Sequence, residues 1–220
     1  MKDKNAWNSY DKEELAKLEK LCKAYREFLD AGKTERECVA EIVKEAEAAG
    51  YESLESKLEK GEKIKAGDKV YAVGMKKIVA LFHVGTEELS GGMSILCAHI
   101  DSPRLDIKQN PLYEDTDLAY LDTHYYGGVK KYQWVALPMA MHGVIVKKDG
   151  TVVNVTVGED EDDPVLYITD LLIHLAGQQM AKKASEAVEG EKLDILIGSQ
   201  PLKDLSLIHI SEPTRHLRIS

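Results

Sequence analysis

The stretch that most restricts the fold is the apolar run Met93-Ser94-Ile95-Leu96-Cys97-Ala98, which leads into His99-Ile100-Asp101-Ser102-Pro103. A continuous run of this length predicts a strand buried on both faces of a mixed or parallel sheet. In an open α/β sheet, ligands sit outside the carboxyl ends of the strands, where this run delivers its polar residues. Side chains two apart on a strand share a side. His99 can therefore offer a ring nitrogen to a metal while Asp101 orients the ring and raises its basicity. A bare His-x-Asp is weak evidence on its own, since buried, hydrogen-bonded polar residues are far commoner than metal sites.

Two helices are signalled upstream. Asp11 with Glu14 makes a capping-box start, and Leu15, Leu18, Leu21, Cys22, Tyr25, Phe28 and Leu29 keep one apolar face as far as Gly32. Thr34 with Glu37 opens a second helix that turns Val39, Ile42, Val43 and Ala46 inward and closes at Gly50. Residues 51–68 are charged and read as a solvated linker, broken at Gly61 and Gly67. Val70-Tyr71-Ala72-Val73 and Ile78-Val79-Ala80-Leu81-Phe82 form a hairpin pattern around Gly74-Met75-Lys76-Lys77.

Beyond residue 104 the pattern turns to short strands at 104–108, 119–125, 135–141, 144–148 and 152–157, with Lys148-Asp149-Gly150-Thr151 as a hairpin turn. Glu159-Asp160-Glu161-Asp162-Asp163 lacks the spaced ligands and glycine of a calcium loop and reads as a solvated turn. Residues 168–183 carry a helical pattern through Leu171, Leu172, Leu175, Gln179 and Met180, and 193–197 reads as a further strand. The expected fold class is α/β.

Charge excludes some partners. Lys+Arg 29 against Asp+Glu 38 gives a net charge of −9, which argues against a nucleic-acid or anionic-membrane binder, since both need a basic face. No window reaches the ~18 apolar residues of a membrane span, and the polar N-terminus has no secretory core. Cys22, Cys38 and Cys97 lie far apart and read as small core residues in a reducing compartment, so the expected location is cytoplasmic.

The ordered blocks Ala98-His99-Ile100-Asp101-Ser102-Pro103-Arg104-Leu105, Asp122-Thr123-His124-Tyr125-Tyr126-Gly127-Gly128, Lys131-Tyr132-Gln133-Trp134, Leu137-Pro138 and His142-Gly143-Val144 together resemble the M18 family of zinc aminopeptidases, in particular its bacterial, aspartyl-aminopeptidase-like branch. The resemblance covers about Tyr10 to Asp204. It implies a peptidase that removes N-terminal residues from peptides with water activated by two zinc ions, cobalt or manganese being acceptable to the same ligands, and with a Glu as general base. By that pattern His99 is a metal ligand and Asp101 its orienting partner. Residues 1–103 are then the N-terminal part of the catalytic domain, an incomplete open-sheet metallopeptidase domain. Residues 104–204 are an inserted β-rich domain that mediates dimerisation and covers the active site. His174 aligns with a family His that reaches into a neighbouring subunit's active site to help bind the substrate carbonyl, and a plain interface role suits it equally. The resemblance also implies homo-oligomers, dimers assembling further. His124 and His142 suit structural hydrogen bonding better than ligation, and His83 ends a strand.

The family's later bridging Asp, Glu-Glu pair, further carboxylate and final His are missing from this chain. A catalytic zinc generally needs three protein ligands and an open position, so an inactive fragment is expected. Residues 205–220, beginning Leu205-Ser206-Leu207-Ile208-His209-Ile210, resemble translated sequencing-adapter DNA and are expected to be non-native, which strips His209 and His216 of meaning as ligands. Two other readings stand beside the peptidase. One is a non-catalytic assembly or binding protein using the β-rich domain. The other is a metal-free hydrolase built on Ser102, which lacks a nucleophile elbow or triad.

Overall fold

The computed structural model describes residues 5–200, and the chain divides between Asp101 and Ser102 into two compact units. The tail from residue 205, with His209 and His216, lies outside the described residues.

The first unit begins with helix α1 (Lys12–Ala31) and helix α2 (Glu35–Ala48). Each starts with a complete capping box. Asp11 Oδ1 accepts from the amides of Glu13 and Glu14 while Glu14 accepts from the Asp11 amide, and Thr34 and Glu37 repeat the exchange. Gly32 ends α1, and Gly50 at φ 85° ends α2 as the Tyr51 amide returns to the Ala46 carbonyl. Strands β1 (Glu52–Ser53), β2 (Lys69–Gly74) and β3 (Ile78–His83) form a mixed sheet in that order, β1 parallel and β3 antiparallel to β2. Cys38, Val39 and Ala46 of α2 are buried, as is Val70 of β2. The apolar stripe of α1 is not, and no residue of that helix is buried.

Three expectations for this unit need correction. Residues 51–68 are more than a linker, because β1 pairs with β2 and a short helix α3 (Leu54–Glu59) follows, its amide at Ser56 capped by Ser53. The pairing of β1 is non-local, which composition cannot reveal. The run 93–98 forms no strand, and Met93, Ile95 and Leu96 are exposed, Leu96 completely at 100%. Apolarity suits a buried strand, but only neighbouring strands can take up its amides and carbonyls, and none among the described residues does. Cys22 and Cys97 are exposed; only Cys38 is a core cysteine.

In the second unit, β4 (Arg104–Asp115), β5 (Leu118–Tyr126) and β8 (Ile195–Gly198) make an antiparallel sheet in the order β4-β5-β8. Thr116 and Asp117, at φ 51° and 61°, supply the left-handed pair of a two-residue hairpin turn. β4 continues well past the expected end at 108 because a register shift between Ile107 and Leu112 absorbs Pro111, which cannot donate to a ladder. Strands β6 (Met141–Val146) and β7 (Val152–Val157) pair antiparallel about the expected turn, where Asp149 Oδ1 accepts from the Thr151 amide at 2.9 Å. Leu121, Leu166, Ile168, Leu193 and Ile195 form the core of this unit.

Two further expectations fail here. Residues 135–141 are largely a loop joined to the core by a bridge between Met139 and Leu166. Residues 168–183 hold only a four-residue helix, α4 (Gly177–Met180), and Leu171, Leu172 and Leu175 are exposed. Asp170 Oδ1 accepts from the Leu171 amide and from Gln179 Nε2. That gives the backbone a local alternative to the helix, and Gly177 weakens the helix further.

Candidate metal site

His99 lies in an irregular, mostly exposed segment that follows the first sheet in sequence. Its Nδ1 is 2.9 Å from the Asp101 carbonyl oxygen and 3.2 Å from Asp101 Oδ1. Two oxygens facing one ring nitrogen assign the proton to Nδ1, which leaves the Nε2 lone pair free to bind a cation. The ring is 83% exposed, so that nitrogen is accessible. The pairing expected from a strand's alternation therefore exists without the strand.

His99 and Asp101 line a hollow of about 370 Å³ with Glu35, Lys77, Ile78 and Ile100. Glu35 comes from the first turn of α2 and Lys77 from the β2–β3 turn. Neither carries a motif of its own, and only the topology, which brings a helix start and a hairpin turn to one hollow, could have found them. The donor set suits one corner of a zinc site, a neutral imidazole with an oriented ring. Among the described residues no three His, Cys, Asp or Glu side chains assemble into a metal cage.

The other histidines lie elsewhere. His174 belongs to the second unit, where it is exposed in a turn and not on the expected helix. His124 Nδ1 faces Glu191 Oε1 at 2.9 Å, and Glu191 also pairs with Lys108, which is bound to Asp122 at 2.8 Å. The Asp122 carboxylate keeps the Lys108 ammonium protonated above its ordinary range. His142 Nε2 faces Glu159 Oε1 at 3.0 Å. Both contacts are the structural hydrogen bonds expected for these residues. His83 is exposed at the end of β3.

Residues 28–212 match the family model described as aminopeptidase I zinc metalloprotease (M18), a span that continues past Asp204 into the tail. A Clostridium acetobutylicum protein named "Probable M18 family aminopeptidase 1" is 61% identical over 201 residues, covering 91% of this chain and 43% of that protein. The crystal structure of an M18 aminopeptidase from Thermotoga maritima superposes with a TM-score of 0.82 at 41% identity, over 92% of this chain and 43% of that one. Aminopeptidase I from C. acetobutylicum gives a TM-score of 0.77 at 57% identity, over 91% and 44% of the two chains. The chain thus spans less than half the length of the curated relatives it matches.

Proposed function

Since the chain belongs to the M18 family of zinc aminopeptidases, we propose that it carries part of the active site of a two-zinc enzyme that removes N-terminal residues from peptides. The observation that carries this reading is the His99–Asp101 contact, which holds an accessible imidazole in the tautomer a metal requires. His99 would hold zinc through Nε2, and Asp101 would keep the ring aligned. When bound, zinc supplies a Lewis acid for the scissile carbonyl and lowers the pKa of water. Glu35 and Lys77, lining the same hollow, put one charge of each sign within reach of a peptide's terminus. One imidazole does not retain zinc at cellular concentrations, and among the described residues no cluster of metal-binding side chains joins it, so we read the chain by itself as inactive towards peptides.

The second unit is read as the inserted domain that covers the active site and mediates assembly, with His174 offered to a neighbouring copy. The exposed apolar side chains of β6 and β7, Ile145, Val146 and Val152, support a contact surface there. No helix among the described residues is long and apolar enough to cross a membrane, and we place the enzyme in the cytoplasm.

The test is incubation of the 220-residue chain with Zn²⁺ or Co²⁺ and aminoacyl-nitroanilides. No turnover is expected, while Co²⁺ should broaden the His99 ring resonances. Robust hydrolysis that His99→Ala abolishes would overturn the inactive-chain reading, and absence of any Co²⁺ effect at His99 would overturn its assignment as a ligand.

A further inference from the structure

The corner between α1 and α2 touches the chain immediately after His99. Cys38, in the first turn of α2, is 6% exposed, and its Sγ lies 3.4 Å from the Gly32 carbonyl oxygen and 3.8 Å from the Ile100 carbonyl oxygen. The thiol therefore joins the end of α1 to Ile100, which lies 62 residues beyond the cysteine. A Cβ added at Gly32 would come within 2.9 Å of that sulfur and 3.2 Å of the Phe28 carbonyl, so the thiol occupies space that glycine alone leaves open. The reciprocal Thr34–Glu37 cap fixes the turn of α2 that carries Cys38.

The contact falls at a sensitive place. Residues 92–99 are exposed, and Ile100 and Asp101 are the first half-buried residues after them. The Ile100 carbonyl belongs to the peptide that joins Ile100 to Asp101. That peptide leads directly into Asp101, whose carbonyl and carboxylate oxygens both face His99 Nδ1, so a displacement of the backbone at Ile100 alters the placement of both acceptors. A buried thiol is a weak donor but a dense, close-packed neighbour. Burial, with help from Glu37 and Glu35, pushes the Cys38 thiol up, so it stays protonated and inert at neutral pH.

We propose that Cys38 is a positioning residue for the metal ligand: seated against Gly32, its thiol holds the Ile100 carbonyl and so keeps Asp101 aligned on His99 Nδ1. This rests on the reading of His99 as a zinc ligand. Small changes in a ligand's supporting contacts weaken metal sites measurably, by 10–100-fold for a direct partner. Cys38 stands one contact further out, so a loss of about 3–10-fold is expected.

The experiment uses the full chain and the variants Cys38→Ala, Cys38→Val and Cys38→Ser, each compared below its own melting temperature. Without metal, the Ile100 carbonyl ¹³C and His99 ring ¹H resonances should move in Cys38→Ala and Cys38→Val, and move least in Cys38→Ser, which keeps a donor. With Co²⁺, the concentration that half-broadens the His99 ring lines should rise about 3–10-fold in Cys38→Ala. A purely structural cysteine would lower the melting temperature while leaving the His99 resonances and the Co²⁺ midpoint of the folded variant unchanged, and that result would overturn the proposal. If Cys38→Ala does not fold, Cys38→Val and Cys38→Ser decide by the same two readouts. Should the unmodified chain show no Co²⁺ effect at His99, the ligand reading fails, while the metal-free shifts still decide whether Cys38 positions the ring.

Discussion

The Tyr113 hydroxyl donates to Asp194 Oδ2 at 2.8 Å, tying β4 to the residue that leads into β8, and the Thr123 amide faces the second carboxylate oxygen at 3.2 Å. Replacing Asp194 with Ala leaves two donors, one on half-buried Tyr113 and one on fully buried Thr123, without an acceptor, which should destabilise the second unit by about 1–3 kcal/mol in urea unfolding. Burial, followed by the bond to Asp194, pushes the Tyr113 phenol well above its ordinary value. The unfolded phenol ionises near pH 10 while the folded one keeps its proton, so the unfolded state binds fewer protons above that point. Stability conferred by this group is complete below pH 10 and is lost as pH rises further. Tyr113→Phe should lower stability at neutral pH and flatten its decline in alkali, as read from urea midpoints across that range.

Gly190 is closed to any side chain. A Cβ there would overlap the Tyr125 ring and lie 2.9 Å from Lys131 Cε, whose ammonium sits 4.8 Å from the centre of that ring. Gly190→Ala should cost about 1–3 kcal/mol by overpacking and shift the Tyr125 ring resonances; an unchanged melting temperature would contradict the packing described.

Thr34→Ala removes the acceptor that caps the Glu37 amide. The expected loss is about 1 kcal/mol, seen as a lower melting temperature and faster amide exchange in the first turn of α2. Thr34→Ser should restore most of it.

Asp163 Oδ2 gathers the amides of Gly158, Glu159 and Asp160 at 2.7, 3.2 and 3.3 Å. The Gly158 amide above all holds this carboxyl below the usual carboxylate range. Its contribution is therefore present above pH 3.8 and lost as pH falls through the depressed value. The protection of the Gly158 amide, taken relative to its intrinsic exchange rate at each pH, should fall in acid for the unsubstituted chain and be low at every pH in Asp163→Ala.

Asp101→Asn keeps an acceptor near the His99 ring but removes the carboxylate charge that faces its Nδ1. The Co²⁺ midpoint at His99 should rise about tenfold, and an unchanged midpoint would assign the alignment to the Asp101 backbone carbonyl alone.

Local signals translated directly into structure. The Asp11–Glu14 and Thr34–Glu37 boxes, the Gly32 stop, the turn at Asp149-Gly150 and the contact of His99 with Asp101 were all legible because each is settled within a few residues. Misreadings fell where distant partners decide, or where a side chain offers the backbone a competing local bond. The run 93–98 has strand composition without paired neighbours, and 168–183 has helical periodicity that Asp170 and Gly177 interrupt. Residues 51–68 hid a two-residue strand that exists only through β2. The same division runs through the candidate site. The ligand pair could be read from adjacent letters, whereas the approach of Cys38, 62 residues away from Ile100, had no signature in the sequence.

The uncovered segment around Leu96 also governs how the chain behaves in solution. Met93, Ile95 and Leu96 present oil-like side chains to water on a backbone able to zip against an identical strand. A net charge of −9 opposes that pairing through mutual repulsion. Molar salt, which shrinks the reach of that repulsion to about 3 Å, or acidification toward the isoelectric point of 5.3 should drive the molecules into clumps, and a single lysine in place of Leu96 should keep them dispersed.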